Sequence, residues 1–162
     1  MAATQRRAHG RSVPPWIPTT SLALSLVAVS LTTYLTVTHY VDPAALACPD
    51  TGVVNCTLVT TSSWSVVAGV PVAVLGLAWA LGMTALNLPR AWRSTAPWMD
   101  TLRLVGASAG GLTVLYLVYV ELFRVGAICL WCTGVHLTAL ALLTVTLVAR
   151  PLLSRGRAVG AP

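Results

Sequence analysis

Lysine is missing from this sequence, and acids are nearly so: Asp42, Asp50, Asp100 and Glu121 are the only ones in 162 residues. Charged residues make up 9% of the chain, where a soluble domain carries about 25%. So thin a polar surface could not keep a globule of this size dispersed, which excludes an ordinary soluble domain. The ten basic residues, all arginine, give a formal charge of +6. They gather at the ends of apolar runs and form no basic helix or aromatic-interleaved patch, so nucleic-acid binding is excluded as well. Cysteine is scarce too. Cys48, Cys56, Cys129 and Cys132 are the whole supply, and they fall as two pairs.

What is abundant is apolar sequence: 56% of the chain is hydrophobic and the mean hydropathy is +0.79. The blocks are long enough to cross lipid, so the expectation is an all-α integral membrane protein in contact with the bilayer. Residues 1–15, with Arg6, Arg7 and Arg11, read as a disordered cytoplasmic tail. No charge occurs from Trp16 to Thr38, and 21–38 is a first span, diluted by Ser and Thr. An A-x-A site at Ala45-Leu46-Ala47 precedes Cys48, as in a signal peptide. The polar insert His39–Pro43 separates it from the apolar run, so that run is expected to stay as a span.

Thr51 to Pro89 is a run of 39 uncharged residues. That is too long for one crossing, which takes about 20 residues, and too short for two with a turn. The Thr- and Ser-rich part predicts a short amphipathic lid helix over about Leu58–Val67, followed by span two over 70–88. Pro71 there suits a first helical turn. Residues 89–103 read as a loop holding Arg90, Arg93, Asp100 and Arg103. Span three, 104–120, has a small-residue face of Gly106, Ser108, Gly110 and Gly111. Glu121 closes it, and the link Glu121–Ala127 makes a hairpin with span four, 128–149. The sum is a four-helix membrane domain over 16–150, with an outer-face loop and the lid, then a second cytoplasmic tail over 151–162.

Four spans put both termini and the 89–103 loop on one side, which collects nine of the ten arginines and leaves only Arg124 opposite. The positive-inside rule makes the arginine-rich side cytoplasmic. Both cysteine pairs then lie on the outer face, where an oxidising compartment lets disulfides persist.

Cys129-Leu130-Trp131-Cys132 sets a C-x-x-C at the mouth of the last apolar run. Thiols so spaced meet across the first turn of a helix, whose unpaired N–H groups stabilise a thiolate. C-x-x-C is also a zinc half-site, and four thiols could make a whole one. The loop pair could equally be a structural bridge. A bridge across C-x-x-C removes little entropy from the unfolded chain, so that pair is read as redox-active. Disulfide exchange needs an attacking thiolate and a disulfide within contact. Cys48 and Cys56, on a polar loop, are open to a soluble protein. Cys129 and Cys132, at the lipid boundary, are open to a carrier dissolved in the membrane, and a quinone is the obvious one. His136 lies four residues beyond Cys132, on the same helix face. Its plain alternative is a polar residue bonded to a neighbouring helix.

Taken in order, the motifs resemble the bacterial homologues of vitamin K epoxide reductase, over about residues 17–150. They are Cys48 and Cys56, Ser62 six residues on, Ser63-Trp64, the stretch Gly69-Val70-Pro71-Val72-Ala73-Val74-Leu75-Gly76, and Cys129-Leu130-Trp131-Cys132. The resemblance implies a helical bundle around a quinone, menaquinone or ubiquinone, in the bacterial plasma membrane. Such proteins reoxidise a thioredoxin-fold, DsbA-like oxidant of secreted proteins. It implies that Cys48 exchanges with the partner, that Cys56 shuttles through a transient disulfide with Cys129, and that Cys132 faces the ring. Ser62 matches a lid serine near the quinone, and His136 stands where a tyrosine of animal members approaches a quinone oxygen. Many bacterial members continue into a thioredoxin-like domain, whereas this sequence stops at Pro162, so the partner is expected to be a separate protein. No metal is expected. The DsbB type of thiol oxidase has its C-x-x-C in the first outer loop, the reverse order. A non-enzymatic scaffold or metal-binding protein would use the same cysteines as bridges or ligands.

Overall fold

The computed structural model describes residues 14–159, except Asp50 and Thr95. Most of the expected N-terminal tail thus lies outside the described residues. The chain is mostly helical: α1 (Trp16–Val41), α2 (Cys56–Thr60), α3 (Val72–Asn87), α4 (Pro89–Arg93), α5 (Pro97–Val120) and α6 (Leu130–Val159). Three helical stretches are long and apolar enough to cross a membrane, namely Trp16–Val41, Trp98–Val125 and Leu130–Leu152. The protein covers little of them. Leu112, Leu115, Phe123 and Leu137 are each more than 60% exposed, an apolar surface that water would not tolerate. α3 is apolar too but has 16 residues, about 24 Å at 1.5 Å per residue.

α1 explains how a span diluted by hydroxyls remains a helix. Its buried stripe is Ile17, Ser21, Ser25, Ala28, Thr32, Leu35 and Thr38, while Leu26, Val27 and Val37 face outward. Small and hydroxyl side chains therefore meet the bundle, which lets helices approach closely without a hydrophobic driving force. Most of the hydroxyls are answered locally, though not that of Ser21: Ser25 donates to the Ser21 carbonyl at 2.8 Å, Thr32 to Ala28 at 2.7 Å and Thr36 to Thr32 at 2.7 Å. α1 packs on α3 and α6, and α5 packs on α6 and α3. Gly110 of α5 is required by that contact, because a Cβ there would stand 2.5 Å from the Trp79 ring of α3.

Several boundaries differ from the sequence expectation. The lid is not one helix over Leu58–Val67. α2 ends at Thr60, a 3₁₀ turn covers Ser63–Ser65, and β1 (Val66–Val67) pairs antiparallel with β2 (Val70–Pro71). β-branched valines favour extended backbone, and Ala68 and Gly69 sit at φ 51 and 82 in the tight turn between them. The supposed 89–103 loop contains α4 and the first turns of α5. Asp100 and Arg103 are tolerated in that helix because they pair with each other at 2.8 Å. Span three does not close at Glu121: the chain runs on through a π-helical turn, Glu121–Val125, to a left-handed Gly126. Span four begins at Leu130 rather than at residue 128, since Ile128 is held extended in a parallel bridge with Val54. At the far end α6 continues through Pro151 to Val159, so most of the expected 151–162 tail prolongs the helix, and residues 160–162 lie outside the described residues.

Candidate functional site

The loop after α1 is fixed residue by residue. Asp42 ends the helix in extended backbone, and its carboxylate accepts from the Ala44 N–H at 2.9 Å. That starts the Pro43–Ala45 turn and drives Leu46 into the core. Ala47 is then pinned from both sides. Its N–H donates to the Tyr34 hydroxyl at 3.1 Å, and its carbonyl accepts from Trp131 Nε1 at 3.0 Å. The Tyr34 and Trp131 rings lie 4.6 Å apart. Cys48 is thereby held next to the C-x-x-C from which Trp131 comes.

A second tie sets the other loop cysteine. The Ile128 N–H donates to the Val53 carbonyl at 2.8 Å, and the Asn55 N–H to the Ile128 carbonyl at 3.1 Å. One residue beyond each strand of this bridge stand Cys56 and Cys129. Both are buried, 1% and 0% exposed, in one cluster with Leu35 and Leu46. Asn55 also caps α2, accepting from the Leu58 N–H at 2.8 Å through its side chain. Cys48 and Cys56 are joined in a disulfide, with Cα atoms 6.0 Å apart. Cys129 and Cys132 carry free thiols.

The C-x-x-C has the geometry of a helix start. The Cys132 N–H donates to Cys129 Sγ at 3.3 Å, so the sulfur takes the place of a capping oxygen. Thr133 donates to the Cys129 carbonyl through both N–H and hydroxyl, each at 2.9 Å. The hydrogen bond from the Cys132 side chain holds the Cys129 thiol below the usual thiol range, against the opposing effects of burial and the Glu121 charge.

Two concavities flank the four sulfurs. One is an open groove over the loop disulfide, floored by Cys48, Asn55 and Cys56 and walled by Leu58 and Thr61. Cys48 is half-buried whereas Cys56 is covered, so a thiol arriving from outside meets Cys48 first. The other is a cavity of about 440 Å³ inside the bundle, where Ser62, Trp64, Trp79, Glu121, Cys132 and His136 all reach the wall. Three of the predicted residues, Ser62, Cys132 and His136, are thus brought together. The Ser62 hydroxyl donates to the Val59 carbonyl at 2.8 Å, which leaves its oxygen able to accept.

A model of the vitamin K epoxide reductase family matches residues 19–147. The chain belongs to that family. The match takes in all four cysteines, Ser62 and His136. Membership in the vitamin K epoxide reductase family makes the chain a membrane oxidoreductase that works through cysteine thiols. Sequence reasoning overlooked Tyr34 and Trp131 as anchors of the loop, and Arg124, whose guanidinium stands 4.8 Å over the Trp64 ring of the lid. It also gave Glu121 no role. The available signal was that this is the chain's only glutamate, eight residues before Cys129.

Proposed function

We propose that this protein is a thiol:quinone oxidoreductase of the bacterial plasma membrane. It draws electrons from a thioredoxin-fold protein through Cys48 and passes them inward by way of Cys56, Cys129 and Cys132. The observation that carries the reading is the Val54–Ile128 bridge, which sets Cys56 beside Cys129 between the open groove and the apolar cavity.

The bookkeeping is that of disulfide exchange. A partner thiolate attacks Cys48, the Cys48–Cys56 bond breaks, and the partner leaves as a disulfide. Cys56, freed as a thiolate, attacks a Cys129–Cys132 disulfide at Cys129 and makes the transient Cys56–Cys129 bond. Cys48 then displaces Cys129 from Cys56, and the electron pair stays on Cys129 and Cys132. A helix N-terminus and a hydrogen bond from Cys132 favour Cys129 as the group displaced.

The cavity fits a quinone. Its volume of about 440 Å³ lies in the range of small-molecule sites, roughly 300–1,000 Å³, and its wall is apolar with few polar groups. When bound, a quinone supplies a two-electron, two-proton acceptor. Cys132 and His136, one turn apart on α6, would face its ring, and the Ser62 oxygen in the lid could accept from a hydroxyl of the reduced quinol.

Four crossings are supported by α3, a largely apolar helix of 16 residues prolonged by Val70–Pro71 at one end and Leu88 at the other. Arg90, Arg93, Arg103 and Arg150 occur toward the helix ends remote from the cysteines, while Arg124 is beside the lid. That distribution supports cytoplasmic termini and an outward-facing cysteine end.

A double variant tests the relay. Cys48→Ala with Cys132→Ala leaves only the two shuttle sulfurs, which should close into one stable bridge under oxidising conditions. Non-reducing mass spectrometry should find a Cys56 peptide crosslinked to a Cys129 peptide. Two free thiols in the folded variant would sink the relay.

A further inference from the structure

Glu121 is a buried carboxylate for which the relay has no use, 6% exposed inside a bundle that faces lipid. An intramembrane acid is costly and calls for a reason. The other acids are accounted for differently. Asp42 is exposed and caps the Pro43–Ala45 turn, Asp100 pairs with Arg103, and Asp50 lies outside the described residues.

The backbone shows why Glu121 points inward. It opens the π-helical turn, whose extra residue shifts the side chains that follow it; such turns often mark functional sites. Its carbonyl accepts from the Gly126 and Ala127 N–H groups at 2.9 and 3.2 Å. That fold-back delivers the chain directly into Ile128 and Cys129. The Cys129 backbone N–H acts favourably on the carboxylate, and Glu121 shares the cavity wall with Cys132 and His136.

The other titratable or charged groups around it are few. Cys129, Cys132 and His136 come from the α6 side, His39 from α1, Tyr116 from the preceding turns of α5, and Arg124 from its own turn. Arg124 is engaged with Trp64. α3 brings no titratable group, and α2 brings only the disulfide-bonded Cys56.

We infer that Glu121 is the proton carrier of the C-x-x-C pair, taking protons from the thiols and releasing them into the cavity. The inference rests on the quinone reading above. Closing the Cys129–Cys132 disulfide breaks two S–H bonds, makes one S–S bond and releases two electrons and two protons. Both electrons and both protons go to the quinone, which becomes the quinol. Glu121 takes the protons in succession, ionised again each time it gives one up.

The test compares Glu121→Gln and Glu121→Asp in the full chain in detergent micelles. Positioned proton transfer contributes about 10²-fold or more, so turnover of a short-tailed benzoquinone should fall by that factor in E121Q. It should recover in part in E121D, which keeps a carboxylate. In a Cys48→Ala/Cys56→Ala background only the C-x-x-C thiols titrate, read by thiolate ultraviolet absorbance. There E121Q should move thiolate formation to lower pH, because a neighbouring negative charge is gone. More thiolate with slower turnover is a combination that a merely structural glutamate would not give. An unchanged turnover rate in E121Q would overturn the inference. Should the natural chain reduce neither a benzoquinone nor a naphthoquinone, the quinone reading falls and the titration alone decides. A downward shift then keeps Glu121 as the thiols' proton partner, and no shift removes it.

Discussion

The two ends of this bundle bury polar side chains in opposite ways. At the arginine end, Arg103 donates to the Leu86 carbonyl and to Asp100, each at 2.8 Å, and lies 4.0 Å over the Trp92 ring. Asn87 donates to Ser25 at 3.1 Å. Most of these groups are spent on one another, although the buried Trp92 Nε1 finds no hydrogen-bond partner. At the cysteine end, Glu121, Cys132 and His136 line a cavity of about 440 Å³. Where lipid replaces water, an unsatisfied polar atom costs several kcal/mol. The first arrangement ties its polar groups to neighbouring protein atoms, whereas the second turns them toward a space that a ligand can fill.

Removing the innermost sulfur should have the largest effect. Cys132→Ala is expected to abolish quinone reduction, since no other thiol lines the cavity among the described residues. Exchange between the loop disulfide and a reduced thioredoxin-fold protein should survive, because it needs only Cys48 and an attacking thiolate. Both are read by trapping mixed disulfides and by following quinone absorbance. Normal quinone turnover in this variant would cancel the assignment of Cys132.

The arginine end should answer the other way, with loss of stability and intact chemistry. Arg103 is 1% exposed and paired with Asp100. Breaking a buried pair from one side costs about 3–5 kcal/mol. Arg103→Ala should therefore unfold at markedly lower denaturant in micelles, while the folded fraction keeps its quinone turnover per molecule. A stable Arg103→Ala protein with damaged turnover would erase the distinction between the ends.

Between the ends, the α3–α5 contact should respond to crowding. Gly110 faces the Trp79 ring, with no room for a Cβ. Overpacking of this kind costs about 1–3 kcal/mol, so Gly110→Leu should lower stability by that much and displace Trp79 from the cavity wall. Intrinsic Trp fluorescence and thermal unfolding check it, and an unperturbed spectrum with full stability would show the contact to be slack.

How much of this was legible beforehand follows the range of each interaction. Helices and the membrane reading came from composition, which is local and strong. The four cysteines and His136 were legible as spacing. Asp100 and Arg103 were misplaced in a loop because charge was read without its partner, and the partner is visible only once α4 packs Trp92 against Arg103. The lid was misjudged because its serines and threonines favour turns as readily as helix. Glu121 reads in the sequence as the end of a span, since nothing there announces a π-helical turn. The adjacency of Cys56 and Cys129 depends on backbone bonds between Val53, Asn55 and Ile128. Backbone bonds carry no side-chain signature at all.

That last point gives the smallest and most discriminating test. Asn55 holds the loop in two independent ways: its backbone N–H bonds Ile128, and its side chain caps α2 at Leu58. Asn55→Ala removes only the second. Losing an N-cap costs about 1 kcal/mol, and in α2, five residues long, the Leu58 N–H loses the Asn55 side-chain oxygen that accepts from it. Amide exchange at Leu58 should therefore quicken several-fold, with global stability almost unchanged. The Cys56–Cys129 bridge should still form in the Cys48→Ala/Cys132→Ala background, because the Ile128 bonds that align the two sulfurs are untouched. If the bridge failed to form after this one substitution, the short helix rather than the backbone bridge would be what brings the loop to the mouth of α6.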